Sequence, residues 1–178
     1  MYRWMTALLI GSLLMWTSVA GAQVARIAVS STAFAPGGAI PGQYTCAGRD
    51  ISPPLSWSGV PAEAKSLVVA VVDPDAATGA FIHWLVFNLP PTTTSLPEGV
   101  PVDGALPGGA VQGRNDFGHV GYEGPCPPPG KLHHYHFRVL ALSSRLALSN
   151  DADGHKVQAA LRGKVIAAGD VTGVVAAR

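Results

Sequence analysis

The sequence predicts a mostly β protein, a sandwich or a barrel, with one short helix near its C-terminus. Apolar runs of strand length recur along the chain, and turns rich in glycine (21 residues) and proline (15 residues) separate them. One run alternates clearly between its two faces. Many short strands joined by Gly and Pro turns are typical of sandwiches and barrels.

The strongest predicted strands differ in how their faces are covered. Ser66–Asp73 and His83–Pro90 are almost continuously apolar, which is typical of central strands buried on both sides. His133–Leu142 alternates instead, so that His133 and Tyr135 share one face. We therefore expect this strand to place one face in the core.

The other segments are shorter or less regular. Arg26–Ser31 predicts a short strand, and Lys164–Val175 predicts a final one. Asp153–Leu161 predicts a helix that begins at a capping residue and stops at Gly163. Leu89–Asn115 is polar and rich in Pro and Gly, which predicts a long loop, and loops of this length are often functional or mobile.

Residues 1–22 have the layout of a secretory signal peptide. Arg3 supplies a basic start, an apolar core follows, and the small residues Ala20 and Ala22 precede the expected cleavage point. The alternative is an uncleaved anchor helix, although the apolar stretch is short for a membrane span. We expect residues 23–178 to form one exported domain, periplasmic or secreted, with no stable membrane anchor after cleavage.

The charge balance argues against nucleic acid as a partner. Without Arg3, the expected mature chain has 11 basic and 11 acidic residues, so it is neutral. Nucleic-acid binding depends on clustered Lys and Arg, and the sequence has no basic stripe.

Cys46 and Cys126 are the two cysteines of the chain. An exported protein meets an oxidising environment, and an even number of cysteines suits one disulfide. A bond requires Cα atoms within about 7 Å, which leaves the pairing open at this point. Two cysteines so far apart in sequence argue against a zinc site.

Polar residues stand where apolar strands end or begin. Asp73 ends one strand, Asp75 follows it, and His83 starts the next apolar run. If the Asp73 strand pairs with an antiparallel His133 strand, these residues meet His133 and Tyr135 at one sheet edge. Imidazoles and a phenol donate hydrogen bonds to an anion, and the carboxylates orient the histidines. The alternative is that each Asp simply stabilises a turn.

Four segments resemble the phosphatidylethanolamine-binding protein family, in its bacterial Raf-kinase-inhibitor-like branch. They are YTCAGRDISPPLSWSGVP, VVDPDAATGAFIHWLVFNLP, GRNDFGHVGYEGPCPPPGKLHHYHFRVLAL and the weaker LRGKVIAAGDVTGVV. In family order they cover Ser30 to Val175. The D-P-D-A and G-P-C-P-P…H-x-Y signatures are specific in combination. Ala77 departs from the family's proline and His134 from its arginine.

The resemblance implies a Greek-key-like β-sandwich with a short helix near the C-terminus and an anion pocket at one end. The family's pocket positions, rim included, correspond to Asp73, Asp75, His83, Cys126, Pro127, Pro128, His133 and Tyr135.

The expected function is the binding of a small anion, such as phosphate, sulfate, acetate or a phosphorylated headgroup. One alternative is inhibition of a periplasmic or secreted protease, with Leu89–Asn115 as the contact loop. Another is an enzyme that uses the Asp/His pocket for acid–base chemistry, although no G-x-S-x-G or H-E-x-x-H motif is present. We predict no cofactor and no metal, since His134 and His136 alone would be too few ligands.

Overall fold

The computed structural model describes residues 25–176; the predicted signal peptide lies outside them. This part of the chain forms nine strands and one α-helix. They are β1 (Ala25–Arg26), β2 (Ala28–Ser30), β3 (Leu55–Ser58), β4 (Ser66–Asp73), β5 (Phe81–Leu89), β6 (Ser95–Leu96), β7 (Val111–Gln112), β8 (Leu132–Leu142), α1 (Gly154–Leu161) and β9 (Val165–Ala176). Short 3-10 turns occur at Gly42–Tyr44 and Pro107–Gly109. No helix in residues 25–176 is long and apolar enough to cross a membrane.

The strands form two sheets. A six-stranded sheet has the order β1-β9-β8-β4-β5-β7, and a three-stranded sheet has the order β2-β3-β6. In the large sheet, β1 is parallel to β9 and the other pairs are antiparallel. The predicted mostly β fold, a sandwich with a short helix near the C-terminus, is confirmed.

The large sheet has an apolar core on each face. Val69, Val71 and Phe137 belong to a core shared with the small sheet. Val68 and Ala70 belong to a second core that includes residues of α1. Because successive side chains of a strand point to opposite faces, β4 is buried on both, which explains its continuous apolar run.

Register places the chemically interesting strand ends together. Asp73 pairs with Phe81 of β5, and Val72 pairs with His136 of β8. The end of β4 therefore lies between the beginnings of β5 and β8, as the antiparallel arrangement predicted.

Two segments differ from their predicted structure. Leu89–Asn115 contains β6 and β7, which add short edge strands to the two sheets. Arg26–Ser31 is not one strand, because β1 joins the large sheet and β2 joins the small one. Edge strands of two or three residues have no detectable alternation, so periodicity does not reveal them.

Helix α1 follows its local signals. The Asp153 carboxylate accepts a hydrogen bond from the Lys156 amide at 2.9 Å, which caps the N-terminus. Gly163 adopts φ 71° just after the helix, a conformation that favours glycine and ends helices.

Candidate functional site

A cavity of about 220 Å³ lies where β4 ends and where β5 and β8 begin. Its wall combines acidic, imidazole and phenol groups with apolar side chains. The lining residues are Asp73, Ala76, Ala77, Thr78, Phe81, His83, Phe117, Cys126, Pro127, Pro128, His133 and Tyr135. The structure thus brings seven of the eight sequence-predicted site residues around one cavity; Asp75 is the one outside it.

Asp73 and His133 form a buried pair at the base of this cavity. Asp73 is 3% exposed and His133 7%. The Nδ1 of His133 lies 2.7 Å from the Asp73 Oδ2. A carboxylate accepts, so Nδ1 carries the hydrogen and Nε2 is the nitrogen that remains for a ligand. Among residues 25–176, Nε2 has no hydrogen-bond partner.

The second oxygen of Asp73 stabilises the turn that follows β4. Its Oδ1 accepts from the backbone N–H of Asp75 at 2.8 Å, the Asx-turn pattern expected of an aspartate in this position. Asp73 therefore stabilises the turn with one carboxylate oxygen and contacts the cavity residue His133 with the other.

Asp75 points away from the cavity. Its Oδ2 accepts hydrogen bonds from the backbone N–H of His134 at 2.8 Å and from the His134 ring Nδ1 at 2.7 Å. These bonds lower the pKa of the Asp75 carboxyl. The chain leaves strand geometry after Asp73, the last residue of β4, so Asp75 does not follow the alternation of that strand. Its exposed contact with His134 joins the turn to β8.

His83 presents a neutral imidazole. Its Nδ1 donates to the backbone carbonyl of Glu123 at 2.8 Å. Burial lowers the pKa of His83, although that hydrogen bond and the Asp73 charge oppose the shift. In the neutral form Nε2 is an acceptor.

Tyr135 contributes the least satisfied polar group of the site. The residue is 0% exposed, and its hydroxyl has no hydrogen-bond partner among residues 25–176. Burial, followed by the charge of Asp73, raises the pKa of the phenol, so it keeps its proton and can donate. A buried polar group without a partner is rare in folded proteins.

A family model described as phosphatidylethanolamine-binding protein matches residues 30–176 of this chain. The chain belongs to the phosphatidylethanolamine-binding protein family. A UPF0098 protein of Methanothermobacter thermautotrophicus is 50% identical over 142 residues, which cover 80% of this chain and 93% of that protein.

Two crystal structures of phosphatidylethanolamine-binding protein relatives resemble this chain. Escherichia coli YbcL, described as a new member of the mammalian family, has a TM-score of 0.81 and 40% identity, over 85% of this chain and 99% of YbcL. A family homologue of Chlamydia trachomatis has a TM-score of 0.74 and 39% identity, over 88% of this chain and 100% of that chain.

The rim of the cavity in this member of the phosphatidylethanolamine-binding protein family is held by a disulfide. Cys46 and Cys126 are bonded, with Cα atoms 5.4 Å apart, so the bond proposed from the cysteine count is present. The Gly124 N–H also donates to the Asp50 Oδ1 at 2.6 Å. A Cβ at Gly124 would lie 2.4 Å from the Tyr44 carbonyl oxygen, so only glycine allows this close approach.

Two aromatic residues of the cavity were missed from sequence. The rings of Phe81 and Phe117 are 4.8 Å apart in an edge-to-face contact, and Phe117 also contacts the His83 ring. Phe117 is 41% exposed at the cavity mouth. It lies outside the strands, so no periodic pattern marks it.

The cavity combines hydrogen-bond donors with one acid, Asp73, whose two oxygens already accept hydrogen bonds within the protein. The phenol of Tyr135 is a donor, and the Nε2 of His133 becomes one when the ring is protonated beside Asp73. No group of three His, Cys, Asp or Glu side chains within residues 25–176 is arranged to hold a metal ion. The arrangement is chemically suited to a small polar ligand with acceptor oxygens.

Proposed function

We propose that this protein is an exported binding protein whose cavity holds a small anion or a phosphorylated headgroup. The observation that carries the proposal is the buried Tyr135 hydroxyl, which lines the cavity without a hydrogen-bond partner among residues 25–176. A phenol in this position can donate a hydrogen bond to an acceptor placed in the cavity. A ligand oxygen supplies that acceptor.

The Asp73–His133 pair supports the same ligand class. The 2.7 Å contact fixes the orientation of the imidazole. Both oxygens of Asp73 accept hydrogen bonds within the protein, so an arriving anion meets the imidazole edge rather than an isolated carboxylate. The cavity volume of about 220 Å³ suits a small ligand, since drug-sized sites begin at about 300 Å³.

Export is supported by the sequence pattern of residues 1–22 and by the disulfide. Disulfides persist in oxidising compartments and are rare in the reducing cytosol. We place the protein in the periplasm or outside the cell. Antibody detection in osmotic-shock, medium and cytosolic fractions tests this placement, and recovery from the cytosol alone would contradict it.

Thermal unfolding in the presence of inorganic phosphate, phosphoethanolamine and ethanolamine tests the binding function. At about 100 times the Kd, a ligand of the native state adds about 2.7 kcal/mol to the free energy of unfolding, which corresponds to about 5–10 °C in Tm for a chain of this size. We expect this shift with phosphate and phosphoethanolamine. A headgroup ligand predicts a lower Kd for phosphoethanolamine than for phosphate.

His133→Asn is the sharpest variant for this test. An Asn side chain retains a donor near the Nδ1 position, so the Asp73 contact is kept, while the group at the Nε2 position is removed. We expect the ligand-induced shift to disappear, and to survive in the matched control His155→Ala, whose side chain is exposed on α1. An equal shift in His133→Asn would contradict the proposal. Stabilisation by ethanolamine alone would indicate a cation site instead, and release of phosphate from phosphoethanolamine would indicate an enzyme.

A further inference from the structure

A second cavity, of about 270 Å³, lies between α1 and the face of the large sheet that points away from the small sheet. Its floor is formed by alternate β4 residues, Val68, Ala70 and Val72, and its roof by Val157 and Leu161 of α1. Asp73 and Tyr135 face the other side of the same sheet. The two cavities are therefore separated by the sheet itself.

The polar groups at this second cavity differ in whether they already have hydrogen-bond partners. One oxygen of Asp116, Oδ2, accepts a hydrogen bond from the Ile82 amide at 2.7 Å. Arg138, an exposed residue that also lines the cavity, makes no side-chain hydrogen bond or ion pair within the described part of the chain. The polar part of the lining is completed by two residues of α1, His155 and Gln158. Asp170 stands opposite Arg138 on β9, but its carboxylate contacts His136 at 3.1 Å and Thr172 at 3.2 Å.

Arg138 and Asp116 lie at opposite sides of the apolar cavity floor. Leu85, Ala70 and Arg138 occupy one row across β5, β4 and β8. Since neighbouring strands are about 4.8 Å apart, the backbone of Arg138 is about 10 Å from β5. Asp116 is hydrogen-bonded to Ile82 of β5. At that β5 side α1 touches the sheet, because a Cβ at Gly154 would be 2.1 Å from the Ile82 Cδ1.

We infer that this second cavity is a binding site for an aliphatic monocarboxylate. The carboxylate binds the Arg138 guanidinium, which is suited to bidentate contact with it. The aliphatic chain of the ligand extends across Ala70 toward β5, beneath the apolar residues of α1. The cavity volume of about 270 Å³ suits a short aliphatic chain such as that of octanoate. Asp116 at the far side disfavours a dicarboxylate.

Titration of the purified protein with octanoate, followed by ¹H–¹⁵N NMR, tests this inference. We expect saturable shifts at the amides of Ala70, Arg138 and Val157, with those of Asp73 and His133 unmoved. Arg138→Gln should weaken octanoate binding about tenfold or more. The matched control Arg26→Gln, an exposed arginine on β1, should bind as the unmodified protein does.

A second variant fills the site. Ala70→Leu places a larger side chain on the cavity floor, so it should abolish octanoate binding while thermal unfolding shows the protein still folded. Octylamine, which has the same chain with a cationic head, should not bind.

The inference is overturned by absence of saturable octanoate binding, by equal binding in Arg138→Gln, or by shifts confined to Asp73 and His133. Sedimentation tests the other occupant, a second copy of this chain. A dimer that Ala70→Leu dissociates and octanoate leaves intact would also overturn it. Phosphate binding at the first cavity is independent of every one of these outcomes.

Discussion

At the scale of single residues, the site depends on how each polar atom is satisfied. Asp73 divides its two oxygens between the turn and His133. The Nδ1 of His83 donates a hydrogen bond to the Glu123 carbonyl. Tyr135 alone keeps a buried hydroxyl without a partner among residues 25–176. The Tyr135 hydroxyl is therefore the donor that a ligand in the cavity would meet.

Tyr135→Phe should weaken binding with little effect on stability. Because the hydroxyl makes no hydrogen bond of 3.5 Å or less among residues 25–176, its removal should leave the free energy of unfolding of the ligand-free protein nearly unchanged. Losing the donor should weaken phosphate binding about tenfold. Chemical denaturation and calorimetric titration measure the two quantities.

Tyr122→Phe is the matched control for that change. The Tyr122 hydroxyl already donates to the Tyr44 carbonyl at 2.7 Å, so its loss should destabilise by about 1 kcal/mol and leave phosphate affinity unchanged. If Tyr135→Phe behaved in the same way as Tyr122→Phe, the hydroxyl of Tyr135 would not be a ligand donor.

At the scale of elements, the cavity is assembled from strand ends and one cross-linked rim. The strands contribute Asp73, His83 and Tyr135, which are positioned by the registers of β4, β5 and β8. The rim segment around Cys126 is joined to the segment around Cys46, 80 residues away in sequence. Closing so large a loop mainly restricts the unfolded chain.

Removal of the disulfide should therefore lower stability strongly. A loop of this length corresponds to about 4.5 kcal/mol in the chain-entropy model. We expect the double variant Cys46→Ala/Cys126→Ala, or the protein treated with a reducing agent, to unfold at a much lower denaturant concentration. The double variant should be insensitive to the reducing agent, which is the internal control. Equal midpoints with and without the bond would show that the hydrogen bonds at Gly124 and nearby hold the rim unaided.

At the scale of the whole molecule, acid should destabilise the fold in two steps. Burial lowers the pKa of His83 below its ordinary value of 6.5. The unfolded chain then binds the proton first, so stability is complete above about pH 6.5 and falls as pH drops below it. The pKa of Asp75 is also lowered, from an ordinary value of 3.8, and that contribution is lost at still lower pH.

His83→Asn isolates the first step. Asn can retain the hydrogen bond to the Glu123 carbonyl without titrating. Denaturation curves at pH values from 7.5 to 5, about the ordinary His range, should show the unmodified protein losing more free energy of unfolding than the variant. Parallel losses in both proteins would mean that His83 is not the group responsible.

The sequence predicted much of this molecule because its strongest signals are periodic. The runs at Ser66–Asp73 and His133–Leu142 identified β4 and β8, and their antiparallel pairing placed Asp73 near His133. The direction of Asp75 could not be derived, since the period of two holds only while the chain remains a strand. Phe117 lies in a loop and the second cavity arises from helix packing, so neither leaves a pattern to detect. The ligand-binding roles stay predictions.

The position of β4, enclosed by neighbouring strands and by apolar layers above and below, has a kinetic consequence. Its amide protons can meet solvent only when the molecule opens globally, so their deuterium uptake should be among the slowest in the chain. Asp73, which orients His133, is the last residue of this slowly exchanging strand. The position of His133 is therefore set by a rigid strand, and the proposed ligand would enter by small movements of peripheral groups such as the exposed Phe117 ring.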